Sequence, residues 1–329
     1  MATLNLDILV TRGSTVESVH RVHGAVVDAS GALIAEAREP GWVTHWRSCG
    51  KPFQVMPFVE AGGLDAVGWG SEQLALACAS HGGEPEHVAI AAAMLASLGL
   101  GEDDLACGPH EPMTARGALL LRESGRKPSR LHNNCSGKHS AMLARATTSG
   151  WPTAGYHTRE HEVQRGCIAS VARWTGLAES ALGLAVDGCG VVEFSLPLRA
   201  MATGYARLGA AAAGGEAGPK RIVDAVAAHP FLLGGTDRFD TILIEETRGR
   251  VISKVGAEGV HTAVSLDRGI GVAVKAEDGA GRAQYPALLR ALQFMDVLPA
   301  ELPPRLAALL VRPITNTRGE TVGDVRPAA

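Results

Sequence analysis

Residues 47–51 read Arg-Ser-Cys-Gly-Lys and run into the apolar stretch PFQVMPFVEAGG. A serine hydroxyl is a weak nucleophile at neutral pH and needs a base to take its proton. A lysine three residues further along a helix stands one turn away on the same face, so the Lys51 amine is placed to reach Ser48. It works as a base only when neutral, which requires desolvation or a neighbouring cation. The plainer reading is a helix-capping serine beside an unrelated lysine. The S-x-x-K spacing alone does not separate the two.

Two further blocks favour chemistry. ACASHGGEPEH places Ser80 at a helix end before His81-Gly82-Gly83, a small-residue turn where a side chain can stand exposed in a cleft. ISKVGAEGV places Lys254 in a strand, followed by Val255 and by Gly256, which would let a substrate lie against the strand. An S-x-x-K, a later serine and a strand bearing K-x-G is the motif order of serine β-lactamases and penicillin-binding proteins. In that architecture the strand lysine faces the second serine and helps hold the first lysine neutral. Singly, Ser80 reads as a turn residue and Lys254 as an exposed strand lysine. Their order and spacing favour a constellation of Ser48, Lys51, Ser80 and Lys254.

Cysteine supplies a second cluster. Cys135 lies in LHNNCSGKHSAML and Cys189 in VDGCGVVEFSLPL, each beside glycine and other donors. Two thiolates, one more ligand and an open position suit zinc, and by chemistry alone His139 or His132 is the expected third ligand. A cysteine nucleophile at Cys135 with one of those histidines as base is the rival reading. Two buried thiols in glycine turns is the plain one.

These residues need elements to hold them. The first forty residues read as strands, with β-branched runs and turn punctuation at Ala-Ser-Gly. From Ser48 to about residue 230 apolar residues recur at helical spacing, in segments such as EPEHVAIAAAMLASLG and HEVQRGCIASVARWTG. Strands return between 250 and 277 as an antiparallel meander. The expected fold is therefore α+β, with an antiparallel sheet built from both ends of the chain and a central helical region. One domain is expected over 1–329, with residues 1–47 and 230–329 forming the sheet and 48–229 mainly helical. The low-complexity piece GAAAAGGEAGPK (209–220) is expected to be a mobile loop.

A net charge of -3 without basic runs argues against nucleic acid and anionic membranes as partners. The start MATLNLDILVTRGSTVESVH has no secretory pattern, and no window reaches the roughly 18 apolar residues of a membrane span. A cytoplasmic protein is expected, its six cysteines (49, 78, 107, 135, 167 and 189) being thiols or ligands and not disulfides.

The blocks RSCGKPFQVMPFVEAGG, LACASHGGEPEH, CGPHEPM, LHNNCSGKHSAML, DGCGVVEFSLPL, ISKVGAEGV and PITNTRGETVGDVRP together resemble the thermolabile, Rhizobium etli-type L-asparaginases. The resemblance spans nearly the whole chain in the correct order. It implies a serine β-lactamase and glutaminase-like fold, a homodimer, and hydrolysis of L-asparagine to aspartate and ammonia. It also implies Ser48 as nucleophile, Lys51 as base, Ser80 with Lys254 as a second tandem, and Cys135, Lys138 and Cys189 as zinc ligands. Lysine must be deprotonated to bind a metal, so here the resemblance outweighs the generic expectation of histidine. Lys275, in GVAVKAEDG, is the less favoured partner of Ser80. The substrate carboxylate calls for a cation, and Arg47 and Arg238 are the candidates. A glutaminase or β-lactamase-like hydrolase on the same machinery, and a zinc-dependent amino-acid-binding protein, are the competing functions.

Overall fold

The computed structural model describes residues 1–328. The chain opens with strands β1 (Ala2–Thr3), β2 (Ile8–Arg12), β3 (Thr15–His20), β4 (Val22–Asp28), β5 (Leu33–Ala37) and β6 (Val43–His45). A 3-10 turn, Arg47–Gly50, leads into helices α1 (Lys51–Glu60), α2 (Gly63–Val67), α3 (Ser71–Ala77), α4 (Pro85–Ser97), α5 (Ala115–Glu123), α6 (Ser136–Thr148) and α7 (Glu162–Thr175). Strands β7 (Gly183–Val186) and β8 (Val192–Pro197) follow, then α8 (Leu198–Ala213), α9 (Ala217–Ala228), α10 (Pro230–Leu233) and α11 (Phe239–Glu246). The remainder is β9 (Val251–Val255), β10 (Val260–Ser265), β11 (Ile270–Ala276), α12 (Gly281–Phe294), α13 (Pro304–Leu310), β12 (Arg312–Thr315) and β13 (Thr321–Pro327). Two units result, one from residues 1–49, 196–210 and 250–329, the other from 50–195 and 211–249. The fold is α+β.

The first unit is built on a six-stranded sheet ordered β1-β5-β4-β11-β10-β9. It joins both ends of the chain and is antiparallel except for the short β1–β5 pair. Strand alternation sorts its two faces. Gly271 and Val264 face α8, and a Cβ at Gly271 would come within 2.0 Å of the Ala202 carbonyl, so only glycine allows this helix to lie so close. His261, on the opposite face, meets Tyr285 of α12. Lys254 pairs with Thr262 and so points to the α8 side. A second sheet, β12-β13-β2-β3, also combines the two ends of the chain.

The second unit is the helical one. Phe53, Met56 and Phe58 of α1 are buried in it. Ser170 and Cys167 of α7 donate to the Phe53 and Gln54 carbonyls at 2.7 and 3.3 Å. A Cβ at Gly137 would stand 2.3 Å from the Leu76 carbonyl, so the first turn of α6 rests directly on the end of α3. That close approach sets up the site described below.

The segment 209–220 is not a loop. α8 continues to Ala213 and α9 begins at Ala217, leaving a turn in which Gly215 takes φ +84°. Alanine is the strongest helix former, and a low-complexity run of it extends a helix wherever one face can be buried.

Candidate active site

Lys51 opens α1 and is completely buried. Its Nζ donates to the Ala79 carbonyl, to the Asn134 carbonyl at 3.1 Å and to Ser80 Oγ at 3.1 Å. The first and third partners follow the end of α3, and the second precedes α6. The Gly137–Leu76 approach is therefore what brings all three around one amine. Among the described residues no carboxylate or thiolate is hydrogen-bonded to Lys51. The carbonyls can only accept, so an unprotonated Lys51 must turn its lone pair toward a hydroxyl.

Ser80 is buried, where the sequence suggested an exposed turn side chain. Its backbone N–H donates to the Leu233 carbonyl at 3.1 Å. The turn after it is held by two histidines. His81 Nδ1 accepts from the Gly83 N–H (3.2 Å), which leaves Nε2 protonated to donate to Ser136 Oγ at 2.9 Å. His87 Nδ1 accepts from the Glu84 N–H (3.2 Å), and its Nε2 donates to the Phe231 carbonyl at 3.0 Å. The rings stack 5.0 Å apart, and burial is the main cause lowering both pKa values, His81 well below the ordinary range.

In the first unit, Ser48 lies half-buried in the 3-10 turn, following Arg47 in a left-handed conformation (φ +53°). A non-glycine residue at such an angle stores strain, which concentrates at functional turns. Cys49 is fully buried, and its thiol donates to the Lys254 carbonyl at 2.9 Å. The expected role of Gly256 changes here: a Cβ there would meet Val260 Cγ1 at 2.4 Å and Cys49 Sγ at 3.0 Å, so the glycine makes room for the chain's own packing. Lys254 lies in β9 as expected, buried, with Nζ donating to the Val255 carbonyl at 3.0 Å. Lys275 donates to the Glu258 carbonyl at 2.8 Å and to that of Ala276. Burial lowers its pKa, with acidic neighbours Glu258, Asp278 and Glu277 opposing.

The two arginines differ. Arg47 is half-buried and already has a partner. Arg238, half-buried at the N-cap of α11, has no ion-pair or side-chain hydrogen-bond partner among the described residues.

The metal candidates converge in the second unit. Cys135, Asp187 and Cys189 place one donor atom each within 4.8 Å of one another. Lys138 Nζ lies 3.2 Å from Cys189 Sγ and 4.0 Å from Asp187 Oδ2. The hydrogen bond to Cys189, with burial, pushes the Cys135 thiol up to about 12. Cys189 receives that bond, which brings it down to about 6 against the opposing effect of burial. Burial pulls the Lys138 amine down, but the Cys189, Cys135 and Asp187 charges outweigh it, so its pKa is raised. A soft divalent cation fits this donor set once its protons leave.

Neither histidine belongs to that group. His139 is buried with Nδ1 2.6 Å from Tyr156 Oη, and burial takes it down to about 3. His132 Nδ1 lies 3.0 Å from the Ser129 nitrogen. Two residues escaped the sequence reading. Asp187 stands two residues before Cys189 in the DGCG block but was not among the expected ligands. Glu84, in ASHGGEPEH, is a fully buried carboxylate with nothing in its spacing to reveal it.

A family model described as L-asparaginase II matches residues 8–327. No curated protein matches the chain. Among solved structures, a β-lactamase from Mycobacterium bovis is similar at 11% identity and a TM-score of 0.36, over 84% of this chain and 96% of that one.

Proposed function

The chain belongs to the L-asparaginase II family and is an amidohydrolase, and from that premise we propose that it cleaves L-asparagine through a serine acyl-enzyme. Ser48 Oγ attacks the side-chain amide carbon while Lys51 takes its proton. The 3-10 turn runs directly into α1, which leaves residues 48 and 51 one turn of backbone apart. The observation that carries the reading is the Lys51–Ser80 hydrogen bond of 3.1 Å, a route by which the proton passes to the departing nitrogen. The C–N bond breaks, ammonia leaves, and water hydrolyses the ester to aspartate and free Ser48. Lys254 is the cation assigned to support the second serine.

Oxyanion stabilisation falls to backbone N–H groups. Ser48 sits in a first helical turn, where N–H groups lack intrahelical acceptors. Gly256 already donates to the Val260 carbonyl at 2.9 Å, so the donor from the segment after β9 is assigned to the next residue, Ala257. Losing one such donor typically costs about 2.7–4 kcal/mol of barrier. Arg238 takes the substrate α-carboxylate, since a half-buried guanidinium without a partner suits that anion.

Cys135, Lys138 and Cys189, with Asp187 beside them, would hold zinc, which when bound supplies a Lewis-acid contact for the substrate's α-amino and α-carboxylate groups. Six buried free thiols suit a reducing compartment, so the enzyme is assigned to the cytoplasm; the homodimer rests on the family resemblance alone. Among the described residues no helix is long and apolar enough to cross a membrane.

Ammonia release from asparagine and glutamine by the wild type, Ser48→Ala and Cys135→Ala tests the proposal. Ser48→Ala is expected to abolish turnover with zinc retained. Cys135→Ala is expected to lose zinc and mainly raise KM. Near-normal turnover by Ser48→Ala would remove the nucleophile assignment, and a zinc-free wild type that does not take up added zinc would remove the ligands.

A further inference from the structure

Glu84 is an ionisable group the reaction does not use, and its side chain is completely shielded from solvent. Oε1 accepts the Thr236 N–H at 2.7 Å, Oε2 accepts the Thr236 hydroxyl at 2.7 Å, and Arg116 Nη1 donates to Oε2. Arg116 is itself fixed by Glu86 through bonds of 2.7 and 3.0 Å. Burial alone would raise the Glu84 pKa, but these donors outweigh it and lower it.

The surroundings are shaped for this carboxylate. Gly235 takes φ +114°, and a Cβ there would stand 2.7 Å from Glu84 Oε1. A Cβ at Gly82 would meet Thr114 Cγ2 at 2.4 Å. Glycines thus let two segments close on Glu84: residues 80–84, which carry Ser80, and residues 233–238, which carry Arg238. The same segments are tied a second time by the Ser80 N–H to Leu233 carbonyl bond of 3.1 Å.

We propose that Glu84 is a positioning residue, whose carboxylate clamps the Arg238 segment to the Ser80 segment and so fixes the span between the substrate's carboxylate anchor and its reacting amide. The span is what distinguishes asparagine from a side chain one methylene longer. A carboxylate suits this place because both of its oxygens receive donors. An amide would either turn its NH2 toward Arg116, which has no acceptor, or give up the Thr236 N–H bond. The inference deepens the proposed function and rests on Arg238 being the anchor.

The test is a cycle of Glu84→Gln, Arg238→Ala and the double variant, with kcat and KM for asparagine. Glu84→Gln is expected to raise KM at least tenfold while kcat stays within about threefold. In the Arg238→Ala background it should raise KM no further, because the clamp acts through that arginine. Fully additive effects, or a lowered melting temperature with unchanged KM, would overturn the inference. If Arg238→Ala alone leaves KM unchanged, the anchor reading falls and the inference with it. Should Glu84→Gln fail to fold, Thr236→Val removes one donor only. It is expected to raise KM about threefold, again only where Arg238 is present; no rise, or an equal rise without Arg238, overturns the proposal.

Discussion

Lys51 and Lys138 are buried amines in the first turns of two helices of the same unit, one facing neutral oxygens and the other facing anions. Around Lys51 stand two carbonyls and a hydroxyl. Around Lys138 stand the Cys189 thiol, brought down to about 6, and the Asp187 carboxylate. At Lys138 burial alone would pull the amine's pKa down, but the Cys189, Cys135 and Asp187 charges outweigh it. A side chain ringed by neutral acceptors can hand a proton back and forth with a hydroxyl. One held between a thiolate and a carboxylate keeps its proton until another cation displaces it. The same residue type is thus suited to proton transfer in one place and to ligation in the other, and the neighbours make the difference.

The largest effect that would expose this contrast is on turnover. Lys51→Met keeps the length and apolar stem but removes the amine, and is expected to lower kcat by 10²–10⁴-fold, the range for a general base. Lys138→Met should spare much of kcat and instead weaken zinc binding and raise KM by roughly 10- to 100-fold, the range seen when a metal site loses support. Equal loss of kcat in both variants would erase the distinction drawn here. A milder probe is zinc affinity against pH. Near neutrality Cys135, at about 12, and Lys138, raised, both hold protons that must leave on binding. Affinity should therefore rise with pH, by about tenfold per unit for each proton released. Titration of metal-free protein at several pH values measures the slope: a slope of one proton in place of two would mean that Lys138 does not ligate, and a flat profile that neither group does.

The chemistry of these places was more legible than their geometry. S-x-x-K and the Cys135 and Cys189 blocks are short-range patterns, and the two cysteine blocks mark residues that the fold gathers within one unit. Glu84 could not be read because a buried carboxylate and a solvated one look alike in sequence; only the donors folded around it tell them apart. Gly256 was visible but misjudged, since a strand glycine reports a close approach without saying by what. The α+β class followed from strand patterns at both ends and helical spacing between them. The β12–β13 pair was obscured because β12 is short and largely exposed and most of β13 is only half-buried, so little hydrophobic alternation survives. The alanine run at 209–220 misled in the other direction, its composition suggesting disorder while its intrinsic helix propensity extended α8.

The smallest predicted effect concerns how the Ser80 turn tolerates acid, where neutral rings take the place that anions hold beside Lys138. His81 and His87 accept backbone N–H groups, so protonating either breaks a bond that shapes the turn. Both have folded pKa values below the unfolded value of 6.5. Above 6.5 the rings are neutral in both states and the full stability is present. As pH falls below 6.5 the unfolded chain takes up protons that the folded chain refuses, and stability is lost toward the folded pKa at up to about 1.4 kcal/mol per pH unit for each ring. His87→Asn keeps an amide oxygen for the Glu84 N–H but gives up the bond to Phe231 and cannot titrate. It should be about 1 kcal/mol less stable than wild type at pH 7.5 and show a shallower decline between pH 6.5 and 5. Denaturant unfolding at pH 7.5, 6.5, 5.8 and 5.0 measures both, and parallel declines would mean that His87 is not the group that charges.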